Sequence, residues 1–199
     1  MLRSIRKSGT AALLALTTIV SAGVAVLMFS TQATAQPVPA PPPVTATAVP
    51  LVSMQCGFPS TNTFGFQPYL SLVTQPTTIQ RTTAYRKCSA PSFPNIREGY
   101  ETKTNLLNDD CVIMLLGAGS ATFNVIWNTT QTTTFVAARS ATLTATAFTV
   151  TYVGNVTAGL FAGRRVKQVF VANPTEINQC LAGTGVVPFI ISDVTLTIF

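Results

Sequence analysis

Ala121-Thr122-Phe123-Asn124-Val125-Ile126-Trp127 decides the fold class of this chain. Ala121, Phe123, Val125 and Trp127 share one face of an extended segment, and Thr122 and Asn124 take the other. That is the period-two pattern of a half-buried β-strand, and its phase makes Trp127 a core residue. Val194, Leu196 and Ile198 alternate with Asp193, Thr195 and Thr197 in the same way. Leu143 to Val153 also alternates but shifts phase near Ala147-Phe148, which predicts a bulge or bend. Gly154-Asn155 predicts a tight hairpin turn and Asn128 to Gln131 another. Gly163 divides Val156 to Ala162 from Val166 to Ala172, and Gly117 and Gly119 interrupt the apolar run that starts at Cys111.

Outward from that segment the composition agrees. Residues 36–199 hold 27 threonines, whose stiff β-branched side chains favour strands. Helical periodicity is confined to Pro174 to Leu181 and Thr102 to Asn108. Seven or eight strands, at intervals of roughly 8–12 residues, predict an all-β, antiparallel β-sandwich, immunoglobulin-like or Greek-key. Cys111, Trp127 and Cys180 approach the immunoglobulin Cys…Trp…Cys pattern. Asn178 nevertheless stands where that fold has a tyrosine, and a long folded stretch precedes Cys111. A related sandwich is therefore preferred to a true immunoglobulin domain.

The first 35 residues read as a signal peptide. Arg3, Arg6 and Lys7 precede an uncharged run from Ala11 to Phe29, and Ala33-Thr34-Ala35 forms a small-residue cleavage site before Gln36. The rival reading is an uncleaved membrane anchor. Residues 36–50 form a Pro-rich linker, with Pro37, Pro39, Pro41, Pro42, Pro43 and Pro50; such a segment prefers extended geometry and builds no core. Residues 51–199 are then one domain, large enough to bury a core.

Cleavage also lowers the charge. The whole chain carries a formal +6; residues 36–199 carry nine basic and six acidic side chains, a net of +3. Arg81, Arg86 and Lys87, and Arg164, Arg165 and Lys167, read as solvated surface charges. A nucleic-acid partner is not expected, since a binder shows a denser basic stripe with interleaved aromatics. Four cysteines in an exported chain predict two disulfides. Three pairings are open, and Cys56–Cys88 with Cys111–Cys180 is favoured. The first would staple a loop-rich N-terminal segment.

The catalytic inventory is poor. The chain has no histidine, which removes Ser-His-Asp, Cys-His and HExxH chemistry. Glu98, Glu101, Asp109, Asp110, Glu176 and Asp193 show no spacing that pairs two carboxylates across a sugar. Asp109-Asp110 reads as a turn before a strand. Calcium on Asn108, Asp109 and Asp110 lacks an EF-hand pattern, and zinc lacks a C-x-x-C pair. Gly117-Ala118-Gly119-Ser120 lacks the lysine of a phosphate loop. No catalytic residue, metal or cofactor is expected. Phe58, Phe64, Phe66 and Tyr69 form a binding surface if exposed and plug the core if buried; burial is the favoured reading.

Val156-Thr157-Ala158-Gly159-Leu160-Phe161-Ala162-Gly163, preceded by Gly154 and followed by Cys180 and Thr195-Leu196-Thr197-Ile198, resembles a segment of small secreted, largely uncharacterised actinobacterial β-sandwich proteins. The resemblance spans about residues 111–199. It implies export and a sandwich and carries over no active site. Together these readings predict a secreted or cell-envelope, non-enzymatic protein that acts by binding or assembly on an extracellular protein or glycan. Membrane attachment is expected only if the leader stays uncleaved. The alternatives are a secreted glycan hydrolase with paired carboxylates and an eight-stranded envelope pore, for which Phe199 is the terminal aromatic.

Overall fold

A computed structural model describes residues 51–199. The signal peptide and the Pro-rich linker fall outside the described residues. Eight antiparallel strands run in sequence order around a closed barrel: β1 Met54–Leu70, β2 Gln75–Ser89, β3 Gly99–Asp109, β4 Gly119–Trp127, β5 Thr132–Leu143, β6 Phe148–Gly159, β7 Arg165–Ala172 and β8 Val187–Ile198. Two short helices join neighbouring strands at one end: α1, Cys111–Leu116, between β3 and β4, and α2, Thr175–Leu181, between β7 and β8. We call this the helical end and the opposite one the base. Among the described residues, no helix is long and apolar enough to cross a membrane.

The all-β antiparallel expectation holds, but the sandwich is corrected to a barrel. β1 pairs with β8 from Met54↔Ile198 to Leu70↔Val187, through two register shifts, and this ladder closes the sheet. Alternation reports only that one face of a strand is buried. It is identical for a strand in a sandwich and one in a closed sheet. The immunoglobulin comparison fails for a related reason: Cys111 and Cys180 lie on the two helices, not on facing sheets.

The local corrections have equally specific causes. Thr102 to Asn108 belongs to β3, not to a helix, and Cys111 to Leu116 is helical. The phase shift at Ala147-Phe148 is the β5–β6 hairpin itself, closed by Thr144 N–H to the Ala147 carbonyl at 2.9 Å. Gly154-Asn155 is no turn but the middle of β6. A Cβ at Gly154 would strike the Val136 carbonyl of β5, so glycine there permits a close approach between strands. The supposedly loop-rich stretch after residue 51 forms the two longest strands, of 17 and 15 residues. Asn128 to Gln131 does form a turn, and the helix expected from Pro174 begins one residue later.

Inward positions fill the barrel in layers. Toward the helical end lie aromatic rings: Phe123 stacks on Phe135 at 4.7 Å and meets Tyr152 edge-on at 5.0 Å, while Phe64 meets Phe170 at 6.1 Å. A polar layer crosses the middle. Thr83 Oγ1 donates to Asn62 Oδ1 at 2.9 Å, Asn62 approaches Ser192, and Gln168 Nε2 donates to the Tyr85 hydroxyl at 3.0 Å. Trp127 lies nearer the base, buried, with its Nε1–H donating to Thr133 Oγ1 at 2.8 Å. Threonine is frequent at outward positions, as at Thr61 and Thr63 on β1, Thr102 and Thr104 on β3 and Thr195 on β8, beside exposed apolar side chains such as Leu106, Val136 and Ile191. Hydroxyls thus wet the outer wall with few charges. Both favoured disulfides form, Cys56–Cys88 at the base and Cys111–Cys180 between the helices. Two disulfides in one domain fit an oxidising environment.

Candidate functional site

The barrel wall has one weak seam. β3 and β4 pair only at Gly99↔Trp127 and Tyr100↔Ile126, near the base. Gly99 makes that approach workable, because a Cβ there would sit 2.5 Å from the Trp127 ring. Above those pairs the strands part. β3 remains laddered to β2 on its other side along its whole length, and β4 to β5. The separation leaves the inward side chains of β3 in contact with water: Asn105 and Leu107 are exposed and Lys103 half-buried. The cleft between them holds about 240 Å³. Phe64, Ile79, Leu107, Ala121, Ile113 and Met114 supply apolar walls, and Arg81, Asn105, Asp109, Arg139 and Tyr152 supply polar groups.

Arg81, inward on β2, forms the floor. Its Nε donates to Glu101 Oε2 at 3.0 Å and its guanidinium to Glu101 Oε1 at 2.5 Å. The same guanidinium donates to the Thr122 carbonyl at 3.1 Å and lies 3.9 Å from the centre of the Phe123 ring. Both charged side chains are almost fully buried. A buried arginine requires such pairing and donor satisfaction, since an isolated buried charge is prohibitive. Across the open part of the seam, Lys103 Nζ also reaches the Thr122 carbonyl at 3.5 Å. Two cationic side chains therefore stand in for the missing strand partner of β4 at that point.

Below the floor, burial pushes the Tyr85 hydroxyl well above the usual tyrosine range, with the Glu101 carboxylate adding to the shift. Gln168 donates to it, and Gln168 Oε1 is left buried without a hydrogen-bond partner. Burial likewise raises Tyr152, against a lowering by Arg139.

Helix α1 roofs the cleft and is held at both ends. Asp110 caps its start, accepting from the Val112 and Ile113 amides at 2.8 and 2.9 Å, and Thr74 Oγ1 donates to the same carboxylate at 2.6 Å. The Thr74 hydroxyl and the helix amides lower the Asp110 pKa. At the other end, Arg139 of β5 donates to the Leu115 and Met114 carbonyls at 2.7 and 3.0 Å and to that of Gly117. It supplies from outside the basic group that the last turn of α1 lacks. Desolvation, then the neighbouring Asp110, raise Asp109, while Arg139 opposes them.

The candidate residues read from sequence fall in different places. Phe64 and Phe66 point inward, and Phe64 lines the cleft. Phe58, 75% exposed, lies at the base, whereas Tyr69, 54% exposed, stands at the helical end. The four do not form one patch. Asp109-Asp110 ends a strand and caps a helix rather than preceding a strand. Glu98 pairs with Arg86 on the surface. Glu101 and Asp109 share the inward face of β3 but stand eight residues apart, about 26 Å along a strand. Glycosidase carboxylates lie about 5–9.5 Å apart. No group of three or more metal-ligating side chains occurs among the described residues.

Sequence reading missed the cleft, although one signal for it was present. Ile79, Arg81, Thr83 and Tyr85 alternate in phase, so Arg81 occupies a core position and demands a carboxylate partner nearby. In chemical terms the cleft offers an apolar trough with fixed donors and acceptors. Its most basic groups are already engaged by Glu101 and by helix carbonyls. No family model matches the chain, and neither the curated proteins nor the solved structures yield a match to it.

Proposed function

We propose that this is a secreted or cell-envelope protein that works by binding, without catalysis, and that the β3–β4 cleft receives a small amphipathic molecule. One observation carries the reading: Asn105 and Leu107 on the inward face of β3 are exposed and Lys103 is half-buried, whereas their inward partners on β2, Thr77, Ile79 and Arg81, are buried. The apolar part of a ligand lies on Phe64, Ile79 and Leu107, and its polar end meets Lys103 and Asn105 at the mouth. Pockets for small ligands combine mostly apolar walls with a few placed polar groups in this manner. Export rests on the leader pattern of residues 1–35 and on the two disulfides. The likeness of residues 111–199 to secreted actinobacterial proteins belongs to the same reading.

The hydrolase alternative is weaker, since Asp109 is, among the described residues, the one carboxylate free in the cleft: Glu101 is held in the ion pair with Arg81, Asp110 caps α1, and Glu98, Glu176 and Asp193 are exposed. The pore alternative gains from the closed eight-stranded sheet. Against it stands the filled interior, where the cavity under α1 holds only about 20 Å³; the outer wall mixes threonine with exposed Leu106, Val136, Val153, Val171 and Ile191.

Titration with an environment-sensitive amphiphile such as 1-anilinonaphthalene-8-sulfonate tests the reading. Saturable one-to-one binding in the native protein is expected, abolished in Ala121→Trp, which fills the cleft from β4. Binding that survives this substitution, or none at all, refutes the cleft as the site.

A further inference from the structure

The base carries a second surface, independent of the cleft. Two basic groups far apart in sequence come together there. Arg86 and Lys87 end β2, where Arg86 lies opposite Gly57 of β1. Arg97 closes the β2–β3 connection, its amide donating to Asn128 Oδ1 at 3.0 Å. Arg164, Arg165 and Lys167 lie at the β6–β7 turn and the start of β7, with Lys167 opposite Thr197 near the end of β8. The β2–β3 connection crosses beneath the barrel and touches the β6–β7 turn, Phe93 meeting Phe161 edge-on at 5.2 Å. All six cationic side chains are exposed. The one acid among them, Glu98, pairs with Arg86. At the helical end Glu176 is exposed, while Asp109 and Asp110 are buried and Arg139 is held by the α1 carbonyls.

Exposed apolar side chains stand beside these charges. Phe58 is 75% and Tyr100 53% exposed, and Val52 is exposed at the start of the described chain. Cations around an aromatic side chain that projects into water form the pattern of a membrane-interface contact, in which rings settle at headgroup level and basic residues meet anionic lipid. Nucleic acid fits less well, because the aromatic side chains flank the basic ring rather than interleave along a groove.

We propose that the base of the barrel docks peripherally on an anionic phospholipid surface, through Arg86, Lys87, Arg97, Arg164, Arg165 and Lys167 with Phe58 entering the interface. Each cation near such a surface strengthens binding about five-fold. The attraction decays over a Debye length of about 8 Å at 0.15 M salt. Docking in this pose leaves the cleft mouth clear of the membrane, nearer the helical end.

Co-sedimentation with vesicles of phosphatidylcholine alone, and of phosphatidylcholine with phosphatidylglycerol, tests the proposal. Binding to the anionic vesicles should exceed that to the neutral ones and fall as salt rises. Arg164→Glu/Arg165→Glu should weaken anionic binding by at least about twenty-five-fold and leave neutral-vesicle binding unchanged. Lys87→Glu/Arg97→Glu, on the other side of the ring, should act alike; agreement between two separate pairs guards against a folding defect in either. Equal binding to both vesicles, no response to either pair, or tighter binding of duplex DNA than of the anionic vesicles would overturn it. Ala121→Trp should not alter vesicle binding, so the cleft reading and this one fail separately.

Discussion

Arg81 is held by Glu101, by the Thr122 carbonyl and by the Phe123 ring, and its pair with Glu101 is withdrawn from water. Removing one partner of such a pair leaves the other buried and unpaired, whereas replacing both by apolar groups removes the desolvation cost along with the attraction. Glu101→Gln should therefore destabilise the protein by about 3–5 kcal/mol, measured by urea denaturation. Arg81→Met/Glu101→Leu should recover most of that loss. A double variant as unstable as the single one would mean that the pair stabilises the fold in itself. Trp127 is the largest fully buried side chain, and Trp127→Ala should cost about 3–5 kcal/mol in the same measurement. A neutral result there contradicts its burial.

At the scale of elements, α1 depends on contacts made by others more than on its six residues. Its start rests on the ionised Asp110. That carboxyl titrates below its ordinary value of 3.8 in the folded protein, so its contribution is complete above that pH and lost as pH falls through the folded value. Asp109 has the opposite sign: raised in the fold, it favours folding most when protonated and opposes it as pH rises through its folded value. Asp110→Asn keeps the capping geometry and removes the charge. Melting temperatures measured against pH should lose part of their acid-side fall in this variant; an unchanged profile would place the charge effect elsewhere. The start of α1 is also tied to α2 by Cys111–Cys180, which spans 69 residues. Cys111→Ala/Cys180→Ala should cost about 4 kcal/mol, slightly more than removing Cys56–Cys88, by the loop-entropy argument. The elements readable in the sequence are those with one dry face. β4 and β8 alternate cleanly because Phe123, Val125 and Trp127, or Val194, Leu196 and Ile198, meet the core. β3 reads as a helix over Thr102 to Asn108 for the same physical reason that it matters: with both faces in contact with water over that stretch, it carries no alternation. α1 escaped because all its residues are apolar, which hides any helical stripe.

At the scale of the whole molecule, closure and function rest on two seams that no local pattern reveals. The β1–β8 seam joins residues more than a hundred positions apart and is laddered over most of its length, apart from its bulges. The β3–β4 seam joins near neighbours and is open over most of its length. A sandwich would leave β1 and β8 as candidate edges and would give β3 and β4 no special status. Hydrogen exchange separates these cases amide by amide. Along the laddered parts of β1, amides pointing to either side have a partner strand and should be protected. Along β3, the amides that point toward β2 should be protected, whereas alternate amides facing the cleft should exchange fast, giving a period-two pattern confined to Glu101 to Asn108. β4 should mirror it from Ser120 to Val125. A ligand seated in the cleft should slow the fast set without changing the slow one. Uniform protection of β3 in the free protein would mean that the barrel is closed all round, and the binding reading would lose the observation on which it stands.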